Sequence, residues 1–302
     1  MSKEIRVTLP LLPDVELLGD WCRETAGVER VQPWTVEKDF FLTRLIWGLA
    51  QAHGDRLLLK GGTCLYKVDL RYRRMSEDID LTIPGLGTRY QGTNAVEIDK
   101  VARSLRDLGP VVGTELLNFD GERSERGAHA IWEVRYPSSF LPPDKAIITV
   151  EAGIRMVYRP VRRAQLLQLI PRYIAAGYDS AFCWALDFVE VRAEKVRAAF
   201  TRDEPEIRDF FDLGVLWESG AEMGSEDFIE LVDQKLNEVG SRRLSQQPQS
   251  FGLTERHHRI LGGKLDALES VLRFDEPKFR LQTVVDEYDA LWGKSGQPAS
   301  IA

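Results

Sequence analysis

Two glycines set between a short apolar run and a pair of alternating carboxylates place the strictest condition on this 302-residue chain. Arg56-Leu57-Leu58-Leu59-Lys60 reads as a strand ending at Gly61-Gly62, and a helix is expected from about Thr63 through Leu65 and Val68. Without a Cβ at that junction, backbone N–H groups can approach a phosphate, and the helix start adds the positive end of its dipole. Thr63 offers a hydroxyl, and Lys67, one turn further on, shares its helix face. Asp78 and Asp80 then flank Ile79 in an Ile79-Leu81-Ile83 alternation, so both carboxylates point to one side of a strand. Such a pair suits magnesium, which completes its shell with water and substrate phosphates. An isolated Asp-x-Asp is more often a solvated strand face; the glycine turn upstream reverses that balance. No Walker loop, Gly-x-x-x-x-Gly-Lys-[Ser/Thr], is present.

The expected framework is mixed. Val15 to Trp21, Val36 to Ala50 and Ala95 to Leu108 read as helices, and Asp78 to Ile83, Ala130 to Tyr136 and Lys145 to Ile154 as strands, with a break at Pro84-Gly85-Leu86-Gly87. After Arg159-Pro160 the character turns helical: Phe182 to Arg202, Glu206 to Glu218, Glu226 to Val239, His258 to Phe274 and Lys278 to Leu291. Ser241 to Phe251 reads as a polar loop and Gly293 to Ala302 as a frayed tail. The expectation is therefore an α+β chain with a core lobe over 1–160 and a helical C-terminal lobe over 161–302. Such a strand and helix mixture around a carboxylate pair resembles the small mixed sheet, with flanking helices, of a polymerase-β-like nucleotidyltransferase, the fold that the family resemblance of its motifs implies.

With 43% apolar and 29% charged residues the chain has the composition of a globular protein. Cys22, Cys64 and Cys183 are odd in number and lack metal spacing, which predicts reduced thiols and a cytoplasmic setting. No signal peptide is expected at Met1, and no apolar run approaches the ~20 residues of a membrane span. His257-His258 reads as a surface loop pair.

Two-metal phosphoryl chemistry asks for a third carboxylate. Glu151, on one face with Ile147 and Thr149 near the end of an apolar strand, is the candidate metal ligand beside Asp78 and Asp80, with Asp144 and Glu133 as weaker alternatives. Against it stands a plain strand-end surface acid. Ser76, two residues before Asp78, either turns the chain into the strand or offers a regulatory phosphosite, where about −1.5 to −2 added charges would oppose a triphosphate.

Lys-Gly-Gly-Thr-x-Leu-x-Lys, here Lys60 to Lys67, followed by Arg-x-Ser-x-Asp-Ile-Asp-Leu, here Arg74 to Leu81, closely resembles the AbiEii/AbiGii toxin family of nucleotidyltransferases. Three further segments agree in order: Val36-Glu37-Lys38-Asp39-Phe40, Ala193-Glu194-Lys195-Val196-Arg197-Ala198-Ala199-Phe200-Thr201-Arg202, and Arg208-Asp209-Phe210-Phe211-Asp212-Leu213. The resemblance spans residues 36 to 213. It implies that Asp78, Asp80, Lys195 and Asp209 are catalytic, and that Lys60, Gly61, Gly62, Thr63, Lys67, Arg202 and Arg208 hold the nucleotide. Lys195 would counter charge on the departing pyrophosphate, a surface lysine paired with Glu194 or Asp187 being the ordinary alternative; Asp209 or Asp212 would orient it or Arg208, with helix-to-helix ion pairing the plainer alternative for the two acids.

The resemblance further implies an NTP substrate, magnesium or manganese as cofactor, a tRNA 3′ end as acceptor, a cognate antitoxin as partner, and a role in toxin-antitoxin or phage-defence systems. A net charge of −7 works against an RNA partner on average. Arg155, Arg159, Arg162, Arg163 and Arg172, followed by Arg192, Lys195, Arg197, Arg202 and Arg208, would offer a basic cleft, with Tyr158 or Tyr173 to stack a base, unless they pair with acids. Transfer to a protein hydroxyl, and NTP binding without turnover, are the competing classes.

Overall fold

The computed structural model describes residues 7–85, 91–124, 127–172, 180–241, 255–269, 271–272 and 280–288. The chain forms two compact units, Met1–Asp187 with Val271–Asp275, and Phe188–Ser270 with Glu276–Ala302.

The first unit is built on one mixed sheet. Its strands are β1 (Leu58–Lys60), β2 (Asp78–Pro84), β3 (Glu115–Leu116), β4 (Glu122–Ser124), β5 (His129–Arg135), β6 (Ile147–Arg155), β7 (Arg162–Gln165) and β8 (Phe182–Ala185). They lie in the order β3-β5-β6-β2-β1-β8-β7, with β4 on β5; β2 runs parallel to β6 and β1 to β8, and the other pairs are antiparallel. Strand alternation decides the two faces. Ile79, Leu81 and Ile83, Ile148, Val150 and Ala152, and Ala130, Trp132 and Val134 are buried, and α2 (Pro33–His53) and α4 (Gln91–Val112) pack on this sheet and on each other. Gly48 permits their close approach, since a Cβ there would lie 3.3 Å from both methyls of Leu108. The opposite face of β2 and β6 carries Asp78, Asp80, Thr149 and Glu151, all partly exposed.

α1 (Val15–Glu29) starts at Asp14, whose carboxylate accepts from Glu16 N at 2.9 Å, and stops at Arg30 in the left-handed region. In α2 the segment Glu37-Lys38-Asp39 places two acids in the interior. Glu37 accepts from Ser139 N at 2.8 Å and from the Ser138 hydroxyl, fixing the turn before β6. Burial pushes its carboxyl upward, opposed by these hydrogen bonds. Arg44 of the same helix donates to the carbonyls of Val111 and Val112 at 2.5 and 3.1 Å, satisfying the end of α4.

The second unit carries α5 (Phe188–Thr201), α6 (Ile207–Glu218), α7 (Glu226–Glu238), α8 (Glu255–Gly262), α9 (Leu265–Glu269) and α10 (Leu281–Tyr288). His257 and His258 lie within α8, not in a loop.

Three expectations are corrected. Phe182 to Arg202 is not one helix: Phe182–Ala185 is β8, with Cys183 and Ala185 buried, and the helix starts at Phe188. A four-residue apolar run carries no period that separates strand from buried helix. The division at 160/161 falls inside the first unit, because β7 and β8 both join its sheet. His258 to Phe274 is interrupted at Gly262-Gly263, and Leu272 bridges to Arg74. Tyr173, the 241–251 loop beyond Ser241 and the 293–302 tail lie outside the described residues.

Candidate active site

Gly61 opens α3 (Gly61–Cys64) with φ +69. The reason for glycine there is Asp80: a Cβ at position 61 would lie 2.0 Å from Asp80 Oδ2. The register explains the contact, since Lys60 pairs with Asp80 across β1 and β2, and Asp80 pairs with Glu151 across β2 and β6. Lys60, Asp80 and Glu151 thus form a row over three adjacent strands, with Asp78 and Thr149 one row away on the same face. Lys60 Nζ is 3.6 Å from Glu151 Oε1. Gly62 similarly admits Arg74, whose Nη2 would stand 2.5 Å from an added Cβ. Arg74 is buried, donates to Met75 O at 3.1 Å and lies 4.9 Å from the Tyr66 ring centre. Space beside both glycines is therefore filled by side chains of this chain.

Gly61→Ala is expected to cost about 1–2 kcal/mol for the left-handed conformation and to displace Asp80. Displacement of a reacting group by about 1 Å costs about a hundredfold in rate. A thermal melt and a nucleotide-transfer assay check this; an alanine variant with near-normal transfer would show that Asp80 does not need its seat on Gly61.

Thr63 and Lys67 turn away from that face. Thr63 is fully buried; its hydroxyl donates to the Asp78 carbonyl and lies 2.6 Å from Ser76 Oγ, tying the helix turn to the start of β2. Ser76 itself precedes β2. From Leu65 to Asp69 the helix widens into a π turn, with Leu70 N bonded to Leu65 O at 2.7 Å. Lys67, 1% exposed, reaches Asp39 Oδ1 and the Tyr72 hydroxyl, each at 2.6 Å, and Tyr72 donates to Leu167 O at 2.9 Å. Burial drives the Lys67 ammonium down and the Asp39 carboxyl up, while their mutual attraction opposes both changes. Lys67 holds the interior together where a phosphate contact was expected.

Glu151 shares the face with Asp80, but the expected three-carboxylate cluster is not assembled. Its Oε1 lies 3.2 Å from His129 Nε2 and 3.6 Å from Lys60 Nζ, two partners that hold the carboxylate in its place opposite Asp80. Among the described residues no three His, Cys, Asp or Glu side chains gather to hold a metal ion. The fit to a divalent ion therefore rests on Asp78 and Asp80, two hard oxygen donors on one partly exposed strand face, with the rest of the shell left to water and phosphate. Sequence reasoning missed His129, because the strand was expected to begin one residue later; its place on the Ile131 and Glu133 side of an alternating strand was the available signal.

In the second unit, Lys195 of α5 is 2.8 Å from Asp209 Oδ1 and 2.6 Å from Asp212 Oδ2, both on α6, and Arg202 Nη1 is 3.3 Å from Asp209 Oδ2. Lys195, Arg202, Asp209 and Asp212 thus form an ion-pair cluster between the two helices, the plainer of the two expectations for the acids. Lys235 of α7 is buried between Glu190, at 2.6 Å, and Glu194, at 3.1 Å. Arg208 is half-buried on α6.

Several arginines of the expected basic cleft are engaged within the protein. Arg162 pairs through both Nη atoms with Asp69 at 2.7 and 2.8 Å, and Arg163 lies 3.8 Å from the Phe182 ring centre. Arg172 is 3.1 Å from Glu24. Arg192 stands near the rings of Phe188 and Phe228 and donates to Glu222 O, and Arg197 pairs with Glu194. The three cysteines are buried and form no disulfide. No helix among the described residues is long and apolar enough to cross a membrane.

The family model "Nucleotidyl transferase AbiEii toxin, Type IV TA system" matches residues 44–291. No curated protein matches the chain. Among solved structures, MenT4, the nucleotidyltransferase toxin Rv2826c from Mycobacterium tuberculosis H37Rv, is similar with a TM-score of 0.60 and 20% identity, over 92% of this chain and 88% of that one. At that identity the likeness speaks for the fold alone, a mixed sheet with flanking helices.

Proposed function

The chain belongs to the AbiEii family of nucleotidyltransferase toxins of type IV toxin-antitoxin systems, and from that premise we propose that it transfers a nucleoside monophosphate from an NTP to an RNA 3′ end, that of tRNA. The observation that carries the reading is the partly exposed strand face on which Asp78 and Asp80 stand together, with Asp80 seated on Gly61 and flanked in register by Lys60 and Glu151. Membership implies an NTP substrate and a cognate antitoxin. Blocking the acceptor end in the cytoplasm would stop aminoacylation and hence translation.

In this reading the acceptor hydroxyl attacks the α-phosphate in line, its proton passes to a carboxylate of the Asp78 and Asp80 face, and the bond to pyrophosphate breaks with its electron pair leaving on the pyrophosphate oxygen. Asp78 and Asp80 would hold a divalent ion, magnesium or manganese, which when bound supplies positive charge for the phosphate oxygens. Lys60 adds a fixed cation beside Asp80. Lys195 is assigned to triphosphate charge, with Asp209 and Asp212 fixing its ammonium. Lys195→Ala is then expected to lower turnover more than RNA binding, measured by steady-state kinetics beside a gel shift on protein shown by circular dichroism to be folded. Normal turnover with lost RNA binding would reassign Lys195 to the nucleic acid.

A second acceptor, a protein hydroxyl, is favoured by the −7 net charge and by the internal pairing of Arg162, Arg163, Arg172 and Arg197. Incubation with total RNA and cell protein and each labelled NTP in turn decides between them: label in RNA supports the proposal, label in protein replaces it.

Ser76 is proposed as an off-switch of the same site. A phosphate there would sit against Thr63 and Gly62, at the entry to the Asp78 strand. Ser76→Asp is expected to lose transfer while Ser76→Ala keeps it; full activity in the phosphorylated protein would end this reading.

A further inference from the structure

His129 is not used by the chemistry above, yet it is the nearest imidazole to the carboxylate row. It opens β5, where Ser124 is its register partner across the β4–β5 hairpin. Ser124 Oγ lies 2.8 Å from His129 Nδ1, and His129 Nε2 lies 3.2 Å from Glu151 Oε1. The ring reaches Glu151 diagonally, over Gly153, the residue directly opposite His129 on β6. A Cβ at Gly153 would already stand 3.5 Å from His129 Cδ2, so a larger side chain there would compete with the ring for its position. The ring is 15% exposed, with the Ser124 hydroxyl hydrogen-bonded at one nitrogen and the Glu151 carboxylate 3.2 Å from the other, contacts that restrict its orientation from both sides.

We propose that His129 is a positioning residue of the transfer site: held by Ser124 at Nδ1, it donates from Nε2 to Glu151 and fixes that carboxylate beside Asp80. This rests on the reading of the Asp78 and Asp80 face as the ion and nucleotide site. With Ser124 donating to Nδ1, the neutral ring carries its proton on Nε2, the tautomer that a carboxylate acceptor requires. Lys60 approaches the same Oε1, so one oxygen of Glu151 is held from two strands. Outer partners of a metal-ligating carboxylate tune metal affinity by about 10–100-fold when removed, and Glu151 stands in register beside Asp80, the ligand it would support.

The test is Mn2+ binding to the full-length protein, read from the electron paramagnetic resonance signal of free Mn2+, with transfer kinetics on the same samples. His129→Ala is expected to weaken Mn2+ binding about tenfold, and His129→Gln, whose amide keeps a donor near the Nε2 position, to recover most of it. In the Glu151→Gln background the His129→Ala change is expected to add little, because the carboxylate it positions is gone. Unchanged Mn2+ binding in His129→Ala, no rescue by glutamine, or an additive effect in the double variant overturns the proposal, provided Asp80→Asn abolishes binding. Should Asp80→Asn bind Mn2+ normally, the site reading itself fails and the His129 role with it.

Discussion

Asp80→Asn is expected to remove nucleotide transfer by more than about a hundredfold while leaving the protein folded. Loss of a hydrogen-bond partner behind a metal ligand already costs about 10–100-fold, and Asp80 is assigned as the ligand. Asparagine preserves the shape that fills the space on Gly61 but not the charge. Removing one of two like charges on the Asp78 and Asp80 face lowers their mutual repulsion, so the melting temperature should hold or rise slightly. Labelled-NTP incorporation and a thermal melt on one preparation give both readings. An asparagine variant that transfers at a wild-type rate would take the chemistry away from this strand.

Lys67→Ala is expected to act on stability, by about 3–5 kcal/mol. The ammonium is buried on Asp39 and Tyr72, and its removal leaves the Asp39 carboxylate without a counter-charge in the interior. Replacing both members, Asp39→Asn with Lys67→Met, should cost less than Lys67→Ala alone, because no uncompensated charge remains. Urea unfolding of the three proteins checks the order. A stable Lys67→Ala protein with a raised KM for NTP would return this lysine to the phosphates.

Lys67 also shows where the sequence was legible and where it was not. Alternation put Asp78 and Asp80 on one strand face and Ile79, Leu81 and Ile83 on the other, because a strand's period is two and needs no tertiary information. The glycine pair was legible as a turn, but its use was not. Gly61 and Gly62 make room for Asp80 and Arg74, residues 19 and 12 positions away, and for Asp80 it is the β1–β2 register that brings it there. Helical spacing placed Lys67 beside Thr63, yet both turn inward, since the helix shifts to a π turn and buries that side. Asp39 and Lys67 were both noticed, in separate motifs, and nothing local says that they meet. Glu151 was read on its correct face, whereas the pull of His129 on it depends on the β5–β6 register.

The central claim, transfer from NTP to an RNA 3′ hydroxyl by the Asp78 and Asp80 face, is tested most directly by one comparison. Purified protein is given labelled NTP and magnesium with intact tRNA, or with the same tRNA whose terminal ribose has been oxidised by periodate. Label is expected at the 3′ end of intact tRNA, none on oxidised tRNA, and none on either with Asp80→Asn. Equal labelling of oxidised and intact tRNA, or label carried only by protein, would contradict it.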